Sequence, residues 1–168
     1  APGVLTNDSD PDAGPAALTA VWDAGPSHGT LTLNADGSFD YTPEAGFTGD
    51  DTFTYYAYDG EDNSDTAATV TIHVNGVPVA EDDSYTTRQD TQLVVSAPGV
   101  LANDSDSDGP DPLEAMLDTD VSHGSLTLNA DGSFDYTPTA GYAGEDSFTY
   151  HAYDGAADSN VATVTINV

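Results

Sequence analysis

The chain has 168 residues, with 30 acidic side chains against one basic one, Arg88, and no cysteine. That length suits one large domain or two small ones. A net charge of −29 repels nucleic acid and anionic membrane surfaces. The missing cysteines exclude both a disulfide framework and a thiolate metal site, and no apolar run approaches the ~18 residues that a membrane-spanning helix needs. No signal-peptide pattern is visible at Ala1, so the chain reads as a mature or excised segment. Glutamate occurs only at 44, 61, 81, 114 and 145, and the other acidic residues are aspartates, which favour turns and hard oxygen-ligand sites. A salt-adapted acidic surface is the alternative reading of the same charge.

The chain is one pattern written twice. Ala1–Asp10 (APGVLTNDSD) returns as Ala97–Asp106 (APGVLANDSD), and Ser27–Pro43 returns as Ser122–Pro138 with one difference, Thr30 against Ser125. Phe53–Gly60 returns at 148–155 and Ala68–Val74 at 162–168. The division implied is 1–74 and 75–168, the first repeat without the stretch that matches Asn75–Ser96, where its opening strand or strands belong.

In chain order, copy one opens on the acidic loop Asn7-Asp8-Ser9-Asp10-Pro11-Asp12. A strand carrying Trp22 comes next, then Ser27-His28-Gly29. Two short alternating strands follow, joined through Asn34-Ala35-Asp36-Gly37. In that turn Asn opens a type I turn and Gly supplies the left-handed residue of a bulged hairpin. Strands over 53–58 and 68–74 close the copy. After the linker Asn75-Gly76-Val77-Pro78, copy two adds strands over Val79–Thr87 and Gln92–Val95. It then repeats the acidic loop (Asn103–Gly109), a strand at Leu113–Leu117 and the hairpin around Asn129–Gly132. Its last two strands alternate Phe148, Tyr150, Ala152 and then Val164, Ile166, Val168. Seven short strands with turn signals about every ten residues predict an all-β fold: two tandem immunoglobulin-like Greek-key β-sandwiches, stacked end to end.

That topology gathers the start of the first strand and two acidic loops at one end of copy two. Alternating aspartates at Asp104, Asp106 and Asp108 turn several carboxylates toward one point. Glu81, Asp82 and Asp83 join them from the opening strand, and Asp154 and Asp158 from the last loop. Calcium takes six to eight oxygens at about 2.3–2.6 Å, so the spacing suits Ca2+. This is not an EF-hand: Pro110 and Pro112 forbid the exit helix, and Ala115 stands where the twelfth-position glutamate belongs. A solvated acidic loop is the plainer reading. The four histidines sit at turns or on outward strand positions without the fixed partners a nucleophile needs, and the carboxylates lie on loops at a protein end, so no catalytic residues are assigned. Tyr41, Tyr55, Tyr136 and Tyr150 read as core, whereas Tyr56, Tyr58 and Tyr153 face outward and could form a sugar platform.

The motifs taken together resemble the bacterial cadherin-like repeats and the related VCBS-type repeats. They are Val77-Pro78-Val79-Ala80-Glu81-Asp82-Asp83, Val100–Asp106, LTLNADGSFDYTP, Gly141–Tyr150 and Tyr153-Asp154-Gly155. The resemblance implies a cadherin-like sandwich with calcium at repeat ends, held by Asp82, Asp83, Asn103, Asp104 and Asp106 and, in copy one, by Asp8 and Asp10. Gly109-Pro110-Asp111-Pro112 departs from the pattern and weakens any role for Asp111. The resemblance further implies a non-catalytic extender or adhesive module of a large secreted, RTX-type adhesin at the bacterial cell surface, in biofilm-type adhesion. Its partners would be neighbouring repeats and cell-surface or matrix carbohydrate or protein. A carbohydrate-binding module and an accessory domain of a secreted hydrolase are the competing readings.

Overall fold

The computed structural model describes residues 3–10, 17–109 and 112–168. The chain divides into two compact units, Ala1–Val74 and Asn75–Val168. The first holds β1 (Thr19–Ala24), β2 (Gly29–Leu33), β3 (Phe39–Pro43), β4 (Gly49–Tyr58) and β5 (Ala68–Val74). They form a sheet in the order β1-β4-β5 and a hairpin, β2-β3. The second unit holds β6 (Asp83–Thr86), β7 (Leu93–Val95), β8 (Glu114–Thr119), β9 (Gly124–Leu128), β10 (Phe134–Pro138), β11 (Glu145–Tyr153) and β12 (Ala162–Asn167). Its two sheets run β6-β12-β11-β8 and β7-β10-β9. Every pairing is antiparallel except that of β6 with β12. This is the immunoglobulin-like Greek key, with two sheets closing on one core.

Alternation along the strands builds that core. In unit two Phe134, Tyr136, Phe148, Tyr150, Val164 and Ile166 point inward and are at most 1% exposed, while intervening residues such as Asp135 face solvent. Phe134 stands edge-on to both Phe148 and Tyr85, with ring centroids 5.4 and 5.1 Å apart. The repeated hairpin works as the sequence implies. Gly132 has φ +79°, and its amide donates to the Asn129 carbonyl at 2.9 Å. A Cβ at Gly132 would run into the Pro98 carbonyl, so glycine is required here by close approach as well as by φ.

One predicted strand divides in two. Val79 makes an isolated antiparallel bridge to Ser105, and parallel pairing with β12 begins only at Asp83. Side chains take over the ladder between them. The Asn160 amide group accepts from the Ala80 N–H (3.1 Å) and donates to the Ala80 carbonyl (2.7 Å), and Asp82 Oδ1 accepts from the Thr163 N–H at 2.7 Å.

Unit one repeats this plan without counterparts of β6 and β7 among its described residues. Among the described residues its buried cluster is Ala20, Phe53 and Tyr55, against eleven buried residues in unit two. Full burial of a large apolar side chain contributes about 1.5–3 kcal/mol, so the described residues of unit one form the smaller core.

Candidate metal centre

The site is assembled around a tyrosine hydroxyl. Inward alternation on β11 buries the Tyr150 ring, and its hydroxyl reaches the edge of the core below the acidic loop. There it lies 2.7 Å from the Val100 carbonyl, 3.0 and 2.9 Å from the Asp104 oxygens and 3.5 Å from Asp83 Oδ2. One hydroxyl proton therefore faces several acceptor oxygens. The Glu81 N–H donates to Asp104 Oδ1 at 2.9 Å, and the Asn103 amide donates to the Glu81 and Asp82 carbonyls at 3.5 and 3.2 Å. The opening segment and the acidic loop are thus tied together through Asp104 and Asn103.

The electrostatics follow from this crowding. Burial pushes the Asp83 carboxyl up to about 6, helped by the charges of Asp104 and Asp82 and opposed by the Tyr150 hydroxyl. Burial also raises Asp104; the Glu81 N–H and Tyr150 hydroxyl work against it, and the Glu81 charge adds to it. Asp106 is raised by burial and by sharing its site with Asp108, and its Oδ1 is buried without a hydrogen-bond partner. Gly76 packs so closely on Ser107 and Asp108 that any Cβ there would collide with Asp108 Oδ1.

The remaining candidate residues divide by place. Glu81 and Asp82 are exposed, contribute chiefly backbone groups to the cluster, and Asp82 also caps Thr163. Asp154 serves its own loop: Oδ1 accepts from the Ala156 and Ala157 N–H groups at 2.7 Å each, and Oδ2 from the Asn75 amide at 3.0 Å. Those hydrogen bonds hold its carboxyl below the usual range. In unit one Tyr55 repeats the Tyr150 arrangement, 2.9 Å from the Val4 carbonyl and 2.7 Å from Asp8 Oδ2. Asp10 lines a cleft of about 500 Å³ with Asp59, Asp62 and Asp65. Asp12 and Asp111 lie outside the described residues.

The donors fit a hard cation: oxygens only, from carboxylates, carbonyls and a hydroxyl, with one orphaned buried carboxylate oxygen among them. Among the described residues no three acidic or histidine side chains form a ready-made cage, so an ion would have to draw the carboxylates together. The histidines lie elsewhere. His28 stacks on Phe47 and His123 on Tyr142, each with centroids 4.3 Å apart, and His151 sits between Asp118 (3.0 Å) and Asp158 (3.5 Å).

Sequence reasoning missed two features. It read Tyr55 and Tyr150 as packing residues and not as hydrogen-bonding ones. It also passed over Asp51 and Asp146, the buried carboxylates among the described residues. Asp146 accepts from the Ser122, His123 and Ser147 N–H groups at 2.9, 2.9 and 3.0 Å and from the Tyr136 hydroxyl at 2.9 Å. Asp51 does the same with Ser27, His28, Thr52 and Tyr41. Their repetition at matched positions of both copies was the available signal.

The family model of the bacterial cadherin-like domain matches this chain twice, over residues 1–76 and 75–168. The chain belongs to the bacterial cadherin-like domain family. Among curated proteins, integrin beta-like protein B of Dictyostelium discoideum is 36% identical over 116 residues, which is 61% of this chain and 6% of that protein's length. Among solved structures, human protocadherin-24 EC1-2 is 17% identical (TM-score 0.42), with 95% of this chain and 84% of that one covered. The protocadherin gammaB4 extracellular domain is 18% identical (TM-score 0.44; 89% and 26%). An endo-fucoidan hydrolase of glycoside hydrolase family 107 is 22% identical (TM-score 0.39; 90% and 28%). None of these likenesses bears on what the chain binds. No helix among the described residues is long and apolar enough to cross a membrane.

Proposed function

We propose that this chain is a calcium-binding, non-catalytic structural module of a secreted or surface-displayed bacterial adhesin. In this reading 1–74 and 75–168 are two repeats, the first without the opening strands of the second. Neighbouring repeats of the same protein are its immediate partners, and cell-surface or matrix carbohydrate or protein the more distant ones. Asp83, Asp104, Asp106 and Asp108 are the carboxylates that would hold the ion, with Glu81, Asp82 and Asn103 around them. Asp8 and Asp10 are the corresponding residues of the first repeat, and Asp154 fixes the loop beside the linker. Calcium would supply two positive charges where the chain supplies none.

The observation that carries this reading is the cluster at Tyr150, where one hydroxyl proton faces several carboxylate and carbonyl oxygens and Asp83 is pushed up to about 6. Such a group needs a proton or a cation to be stable at neutral pH. Calorimetric titration tests it. Wild type should bind calcium with Kd of about 10⁻⁴–10⁻³ M, the range of extracellular modules. Asp104→Ala combined with Asp106→Ala should remove the unit-two share of the heat, while the outward Asp135→Ala should leave it unchanged. No heat from the wild-type chain would refute the reading.

A further inference from the structure

We propose that His151 and Asp158 form a binding site for a divalent transition-metal cation of the zinc class on the outer face of unit two, with Asp118 as the residue that positions the imidazole. Alternation along β11 buries Tyr150 and Ala152 in the core and sends His151 to the opposite face of the sheet, across from Met116 on β8. Packing there leaves the imidazole 22% exposed. The Asp118 carboxylate, also on β8, lies 3.0 Å from Nδ1. In the neutral ring Nδ1 therefore donates to Asp118, and Nε2 keeps its lone pair.

A second carboxylate lies on the Nε2 side, with Asp158 Oδ1 at 3.5 Å. Zinc binds imidazole nitrogen at about 2.0–2.1 Å and carboxylate oxygen at about 2.0–2.2 Å, so two such ligands of a tetrahedral ion lie about 3.4 Å apart. One ion fits between Nε2 and Oδ1 with little movement of either, and water completes its shell. Asp158 is fixed by its backbone. It bridges Tyr153, and beside it the Ser159 N–H donates to the Ala152 carbonyl and the Ser159 hydroxyl accepts from the Ala152 N–H, both at 2.8 Å. A carboxylate on one ring nitrogen sets the tautomer and raises the basicity of the other, which is how metal-binding histidines are commonly held.

Ligand chemistry separates this site from the Tyr150 cluster. Imidazole nitrogen suits zinc, copper and nickel, whereas calcium takes oxygens. Unit one supplies the internal comparison. There Tyr56 stands opposite Val21 where His151 stands opposite Met116, and Asn63 bridges Tyr58 where Asp158 bridges Tyr153. Asp23, in the place of Asp118, accepts from the Thr54 hydroxyl at 2.7 Å. Both ligand positions differ, so the same fold in unit one lacks the site. In unit two a bound ion would tie the loop between β11 and β12 to the face of the sheet.

The test titrates Zn2+ into the full 168-residue chain, held in excess calcium so that all-oxygen sites are filled, and follows the histidine ring signals by NMR. We expect one zinc per chain to shift the His151 ring, at zinc levels at least about tenfold below those that affect His28, His73 and His123. Affinities of the variants are read by competition with a colorimetric zinc indicator. His151→Tyr and Asp158→Asn, each the exchange seen between the units, should weaken binding at least about tenfold. Asp118→Ala should weaken it about 10–100-fold, and in the metal-free ring it should move the proton balance toward Nε2, which the ring nitrogen shifts report. Three results would overturn the proposal: no saturable shift of the His151 ring, all four histidines titrating together, or undiminished zinc affinity in Asp158→Asn.

Discussion

Replacing Asp146 with alanine tests whether a buried carboxylate organises the turn between β8 and β9. The Asp146 side chain is 2% exposed and is the acceptor for three backbone N–H groups and the Tyr136 hydroxyl. Alanine takes the shared acceptor away from the Ser122 and His123 amides and from the buried Tyr136 hydroxyl at once. A buried donor without a partner costs about 1–3 kcal/mol, so two such donors place the loss at about 3 kcal/mol. With a urea slope of about 1.5 kcal/mol/M for a unit of this size, the unfolding midpoint should fall by about 2 M. The two units can be followed apart. Trp22, the one tryptophan, lies in unit one, so its fluorescence should keep its wild-type transition while amide exchange in β9–β12 reports the loss. A unit-two midpoint within about 0.3 M of wild type would refute the reasoning. pH gives an independent check. Burial raises the Asp146 carboxyl, but the bonds from Ser122, Tyr136, His123 and Ser147 outweigh it, and the net is a lowered value. Its stabilisation is therefore present above the ordinary carboxylate range and lost as pH falls below it; the alanine variant should lack that acid-side decline.

Other outcomes follow from the same geometry. Asp83, Asp104 and Asp106 are raised, so in chelator the proton they hold in the fold stabilises unit two at low pH. For Asp83 that contribution should disappear as pH rises from about 4 to about 6, which thermal melting across that window would show. Tyr150→Phe removes the donor to the Val100 carbonyl and should cost about 1 kcal/mol by urea unfolding. Gly132→Ala meets both a left-handed φ and the Pro98 carbonyl and should cost about 2 kcal/mol or more. Asp135→Ala, on the solvent face of β10, should change stability by less than about 0.5 kcal/mol.

Period-two alternation and the Asn-Ala-Asp-Gly turn were legible because each acts through neighbours in sequence. Phe134 and Tyr136 on one face with Asp135 on the other already describe β10. Strand β6 was overextended because the side chains that replace its ladder, Asn160 and Thr163's partner Asp82, act across 80 or more residues of chain. The acidic loop was visible as a run of aspartates, but not the rank among its members. Asp104 and Asp154 look alike in sequence. One is crowded against a buried tyrosine and pushed up, while the other is saturated by two backbone amides and an asparagine and held down. The Asp146 lock was hidden for the same reason, since its donors arrive from residues 122, 123 and 136.

The claim that a cation completes the Tyr150 cluster is tested most directly by thermal melting at pH 7 and matched ionic strength, in 10 mM calcium and in chelator. For a site with Kd near 10⁻⁴ M, that concentration is about 100 times Kd and adds about 2.7 kcal/mol. In a unit of this size the gain corresponds to a rise of at least about 10 °C in the melting temperature. Wild type should show this rise, and the Asp104→Ala, Asp106→Ala double variant should lose it. Superimposable wild-type curves in calcium and chelator would contradict it.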